Sequence, residues 1–116
     1  MNKLIGQIKQ WGIDKGITGP NGKGTLLGQL SKTQEELAET RDAAHQWQYG
    51  ETNEDFHESF HGRNNLKDGI GDCTVTLILA AELAGLDFED CLRYAYDEIK
   101  ERTGRMENGT FVKNSK

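Results

Sequence analysis

The sequence predicts an all-α fold of four-helix-bundle type, and three observations predict it. Apolar residues recur at helical spacing in three separate stretches, a fourth stretch is apolar nearly all round, and no alternating run or β-hairpin of useful length appears. The 116 residues fit one domain, 1–116. With only 34% hydrophobic residues the core of a lone copy would be thin, so a homodimer or homotetramer is expected.

The elements follow in order. Leu4, Ile8 and Trp11 keep helical spacing and give a short amphipathic first helix. The stretch 16–24 holds Gly-Pro and Asn-Gly turn signals and reads as a glycine-rich, flexible loop. Half of the fourteen glycines fall before residue 29. A longer amphipathic helix then carries Leu26, Leu27, Leu30, Leu37, Ala38 and Ala44 to about Tyr49, with Gly50 as its stop. The polar segment 50–65 reads as a loop with one helical turn. From Leu66 a third helix runs through Ile70, Val75, Leu77, Ile78, Leu79 and Ala81, to be covered by the bundle or by a partner subunit. Gly85 suits a left-handed stop, and Asp87 suits an N-cap with Asp90 at the third helical position. The fourth helix places Phe88, Cys91, Leu92, Ala95 and Ile99 on one face and stops at Gly104. A polar tail, 105–116, follows.

Composition narrows the setting. No apolar stretch reaches the ~18 residues of a membrane span, and the N-terminus lacks the pattern of a secretion signal. Cys73 and Cys91 stand far apart outside any CxxC pattern, as in a reducing cytoplasm. A formal charge of −5 argues against a nucleic-acid polymer as partner unless a cation intervenes.

Two carboxylate groups carry the chemistry. Glu35, Glu36 and Glu39 share one surface of the second helix at spacings where like charges cost about 0.2–0.5 kcal/mol per pair. Lys32 and Arg41 are the nearby cations. Asp68 and Asp72 lie four apart at the start of the third helix, where they could simply cap it and favour its positive end. Asp72 runs directly into an apolar stretch, however, and a buried carboxylate needs a proton, a partner or a metal. Gly69 and Gly71 each cost roughly 1 kcal/mol in a helix relative to Ala, which suggests that something packs close. Carboxylates from two helices pointed into one bundle make an all-oxygen site, which selects Mg²⁺ or Mn²⁺ over zinc or copper. Such an ion keeps positions open for substrate phosphates and water.

In order, Glu35-Glu36-x-x-Glu39 and Asp68-Gly-Ile-Gly-Asp72 resemble the EExxE … ExxD signature of the MazG-like all-α nucleoside triphosphate pyrophosphohydrolases. The resemblance extends to Trp11 with Lys15-Gly16-Ile17, to Gln29-Leu30-Ser31-Lys32 and to Ala95-Tyr96-Asp97-Glu98-Ile99-Lys100. It continues through Arg102, Gly104 and Met106 to Gly109-Thr-Phe111-Val112-Lys113, an ending similar to the small, phage-associated single-domain branch. It implies hydrolysis of a nucleoside triphosphate between the α- and β-phosphates, in the cytoplasm of a bacterium or of a phage-infected host. It further implies Glu35, Glu36, Glu39 and Asp72 as Mg²⁺ ligands, with one glutamate also orienting or deprotonating water. Gly69 occupies the position of the ExxD glutamate, and Asp68 would supply that carboxylate directly or through water. Lys32, Arg102 and Arg105 are candidates to meet the phosphates. Trp11 would stack on a base or sit in the core.

Two rival patterns compete with this reading. His57-Glu58-Ser-Phe-His61 is a literal HExxH, the pattern of zinc peptidases, but the segment 50–65 offers it no apolar helix. The glycine loop fails as a P-loop because Ile17 and Gly24 stand where glycine and Ser or Thr are needed. A non-catalytic helical module of the same shape, binding nucleotide or protein, is the other class of function.

Overall fold

The computed structural model describes residues 2–114, so Met1 and the last two residues of the expected 105–116 tail lie outside it. Within the described residues the chain is mostly helical: α1 (Asn2–Asp14), α2 (Leu26–Thr52), α3 (Phe56–Leu83) and α4 (Phe88–Ile99), then β1 (Gly104–Glu107) and β2 (Thr110–Lys113). No single helix among them is long and apolar enough to cross a membrane. Residues 2–85 form one compact unit and 86–114 a second.

The first unit is built on an antiparallel α2/α3 hairpin with α1 laid against α3. Three residues turn the hairpin. Asn53 caps α2 through its backbone N–H and its side-chain amide, both donated to the Tyr49 carbonyl. Glu54 takes a left-handed φ of 53°. Asp55 caps α3 by accepting from Glu58 N–H at 3.1 Å. The expected loop over 50–65 is therefore corrected: α2 continues through Gly50, and α3 begins at Phe56, ten residues before Leu66. Gly50 is no stop. A Cβ there would lie 2.2 Å from the Ser59 backbone nitrogen, so glycine is required for the helices to converge at the turn.

The same close approach recurs along the pair. A Cβ on Gly62 would meet the Trp47 nitrogen at 2.4 Å, and one on Gly69 would meet Thr40 Oγ1 at 2.3 Å. Farther along, Thr33 and Thr76 share a hydroxyl–hydroxyl bond of 2.7 Å. Steps of seven residues along α2 (Thr33, Thr40, Trp47) answer steps of seven back along α3 (Thr76, Gly69, Gly62). This seven-residue recurrence is the register of an antiparallel coiled pair. Thr40 and Thr76 also donate locally, Thr40 to the Glu36 carbonyl and Thr76 to that of Cys73.

Few side chains are fully enclosed: Ile78 is 1% exposed and Leu79 2%. Gly12 lets α1 sit on Leu79, and a Lys9–Glu82 ion pair at 3.6 Å ties the same two helices. Contrary to the expected first-helix face, Ile5 is buried while Leu4 and Trp11 are exposed. The 16–24 loop, expected to be flexible, is hydrogen-bonded back on itself by Lys23 N–H to Gly16 O and Gly24 N–H to Ile17 O. Thr25 caps α2.

In the second unit, Asp87 caps α4 by accepting from Asp90 N–H at 3.1 Å, as its sequence suggests. Gly85, closing α3, takes the expected left-handed φ of 72°. The tail holds a hairpin that the sequence reading missed. Glu107 pairs with Thr110 across Asn108 and Gly109, both at positive φ, the two-residue turn that Asn-Gly favours. Gly104 opens β1 rather than ending α4.

Glycine substitutions test the α2/α3 seam. Gly62→Ala should destabilise by about 1–3 kcal/mol, because steric strain outweighs the better helix propensity. Gly71→Ala, with nothing within 4 Å of its added Cβ, should stabilise by up to about 1 kcal/mol. Urea unfolding of the two variants, read by circular dichroism, should give shifts of opposite sign.

Candidate metal centre

α2 and α3 bring four of the five sequence-predicted carboxylates together. Glu36, Glu39, Asp68 and Asp72 line one cleft of about 290 Å³, with Asp42, Gln46 and Asn65 completing its wall. Glu35 points elsewhere. Its side chain is 64% exposed against 13% for Glu36, although Lys32 bridges both at 3.6 Å. Adjacent helical positions face different directions, and the seam decides which of the two faces the partner helix.

Asp68 and Asp72 stand in the middle of α3 rather than at its start, since Asp55 is the cap. The helix dipole acts only over the first turn, so it does not explain either residue. Gly69 has a packing reason. Any larger residue there would press on Thr40, whose hydroxyl is held by the Glu36 carbonyl and lies 3.6 Å from Cys73 Sγ. The backbone position facing the seam therefore has no room for a glutamate, and Asp68, one residue earlier, lines the cleft instead.

The carboxylates act on one another. Burial, followed by the negative charges of Asp68 and Glu36 and a hydrogen bond with Asp68, pushes the Asp72 carboxyl above the usual carboxylate range. Lys32 pulls it the other way, and its own ammonium is held more tightly protonated by Glu35 and then Glu36.

A second cleft of about 580 Å³ shares Glu36 and Asp72 with the first. It runs under the glycine loop and the start of α2. Trp11, Ile17 and Leu79 supply apolar surface; Lys23, Lys32, Thr25 and Gln29 supply polar groups. Two further predicted residues, Arg102 and Arg105, belong to the second unit. Arg102 lines a cavity there with Asp97, Glu98 and Glu101, and Arg105 pairs with Glu107.

Comparison with protein-family models, curated proteins and solved structures gives no match to this chain.

Sequence reasoning missed Asp42, Gln46 and Lys23, and named Gln29 only within the run Gln29-Leu30-Ser31-Lys32, with no role. Asp42 and Gln46 continue the three- and four-residue spacing from Glu39 and were legible on that ground. Lys23 had no such signal, because only the folded loop carries it to the cleft. Among the described residues no three His, Cys, Asp or Glu side chains already stand as a ligand set. The donor chemistry nonetheless fits a hard divalent cation: the cleft offers carboxylate oxygens, no sulfur or imidazole, and mutual repulsion for a cation to relieve.

This repulsion has a measurable sign. The folded protein holds the Asp72 proton more tightly than the unfolded chain does. Metal-free stability should therefore fall as pH rises from the ordinary carboxylate value of about 4 through the raised one. Asp72→Asn should flatten that slope and stabilise the metal-free protein near pH 7 by up to about 1 kcal/mol, the ceiling for charges that water still screens. Denaturant titrations at both ends of the interval measure it. An equal slope in the variant would assign the pH dependence to other groups.

Proposed function

We propose that this chain is a Mg²⁺-dependent nucleoside triphosphate pyrophosphohydrolase of MazG-like type, built as an oligomeric helical bundle, with Mn²⁺ as the other fitting ion. The observation that carries this reading is the pairing of clefts. An acidic one with Glu36, Glu39, Asp68 and Asp72 shares a wall with a larger one holding an indole and two lysines.

The acidic wall alone would repel a triphosphate. Mg²⁺ bound by these carboxylates would supply charge neutralisation and polarise the phosphoryl oxygens. The chain's own groups do the rest. Lys32 and Lys23 meet phosphate oxygens, Trp11 offers a ring face to a base, and Gln29 offers an amide to its edge. A glutamate of the acidic cleft holds the attacking water and takes its proton. Water oxygen bonds to the α-phosphorus, the bond from that phosphorus to the bridging oxygen breaks, and pyrophosphate leaves beside the nucleoside monophosphate.

Glu36→Gln, Glu39→Gln and Asp72→Asn should each lower pyrophosphate release from a panel of common and modified dNTPs by at least about a hundredfold. That is the rate equivalent of a few kcal/mol of lost charge stabilisation. Circular dichroism should stay unchanged. Arg102→Ala and Arg105→Ala belong in the same assay, as do Mg²⁺-free and Mn²⁺ arms. Wild-type protein that binds nucleotide but never releases pyrophosphate would replace this reading with a non-catalytic binding module.

Self-association is part of the proposal. Leu27 is 76% exposed and Ile70 56%, within a unit that encloses few large side chains. Light scattering should give a mass of at least two chains, and a monomer at micromolar concentration would remove this part.

A further inference from the structure

The HExxH segment plays no part in the proposed reaction, and its setting differs from the loop expected of it. His57, Glu58 and His61 lie in the first turns of α3, a 28-residue helix anchored by the Asp55 cap. Histidines four apart share a helix face. Their ring centroids stand 4.3 Å apart, tilted by 56°, and both residues are exposed. Phe60 meets His61 edge-on at 5.4 Å. Glu58 does not project freely as a catalytic base would. It accepts from Gln46 Nε2 at 2.9 Å across the hairpin and lies 3.8 Å from His57 Nδ1.

We infer that His57 and His61 form a two-imidazole site for a divalent transition metal such as Zn²⁺, which clamps the start of α3 and hydrolyses nothing. Imidazoles one helical turn apart with centroids this close can each turn a nitrogen toward one ion at the roughly 2.0–2.1 Å of a zinc–imidazole bond. Imidazole favours zinc, nickel and copper over magnesium, so the ion differs in kind from that of the carboxylate cleft. The two sites are also separate in space, since seven to eleven residues of helix divide His61 from Asp68 and Asp72, about 10–16 Å along the axis. Peptidase chemistry is unsupported because among the described residues no third protein ligand completes the pair, and Glu58 is committed to Gln46. Water would fill the remaining positions of such an ion.

Isothermal titration of the full chain with Zn²⁺, in millimolar Mg²⁺ to occupy the carboxylates, tests the inference. Wild type should bind one zinc ion per chain. His57→Ala and His61→Ala should each weaken binding by more than the roughly tenfold that loss of an outer partner costs a metal site. His45→Ala should leave it unchanged. Zinc should also raise the thermal midpoint of wild type but not of the double variant, because an ion that binds only the folded state stabilises it. Zinc binding that survives in the double variant, or that Mg²⁺ displaces, would overturn the site. Pyrophosphate release should be the same in the double variant and wild type, so failure here and failure of the proposed reaction are separately visible.

Discussion

Between α2 and α3 the backbones run so close that ordinary side chains are excluded at three glycines. A Cβ on Gly50, Gly62 or Gly69 would fall 2.2–2.4 Å from an atom of the facing helix. Everything that positions the clefts follows from this approach. Because the seam consumes Thr33, Thr40 and Trp47 on one helix and Thr76, Gly69 and Gly62 on the other, the positions next to it are forced to the seam's edges. On α2 those include Glu36 and Glu39; on α3 they include Asp68 and Asp72. A cleft of carboxylates is the geometric consequence of putting acids beside a seam of small residues.

The same seam explains a thin interior. Glycine and threonine contribute little apolar area, so the hairpin draws modest stabilisation from burial, at roughly 25 cal/mol per Å² of apolar surface removed from water. Close contact and the local threonine hydrogen bonds substitute in part, since those hydroxyls would be costly if left unpaired. The apolar residues not used in the seam, Leu27, Ile70 and Leu77 among them, are left facing outward.

What the sequence made legible divides along physical lines. Helical periodicity identified four helices, and capping chemistry placed Asp87 and Gly85 correctly, because those signals are local. The start of α3 was not legible. Residues 56–65 are polar apart from Phe56 and Phe60, one helical turn apart and both exposed, and they are helical because Asp55 caps them and α2 packs on Gly62 and Ser59, which are contacts across the hairpin. The C-terminal hairpin carries a local signal in Asn108-Gly109, but the tail was read only as polar, because strands of four residues leave too short an alternation to register. Of the site, the grouping of Glu36, Glu39, Asp68 and Asp72 followed from spacing. The separation of Glu35 from Glu36 did not, since both fit the same acidic pattern and only the seam's register turns one inward.

Gly69 shows how a seam restricts where a carboxylate can stand. At that position an acidic side chain and the α2/α3 contact are mutually exclusive. Its backbone faces Thr40, and Thr40 cannot rotate away without breaking its bond to the Glu36 carbonyl, in the very turn that presents Glu36 to the cleft. A carboxylate placed at residue 69 would therefore disturb the turn that presents Glu36. Asp68 escapes this conflict by sitting one residue, about 100° of helix rotation, to the side. From there it lines the cleft and acts on Asp72. A carboxylate at the cleft and the close approach of the helices are thereby compatible, and the number and direction of oxygen donors are what a hard cation selects.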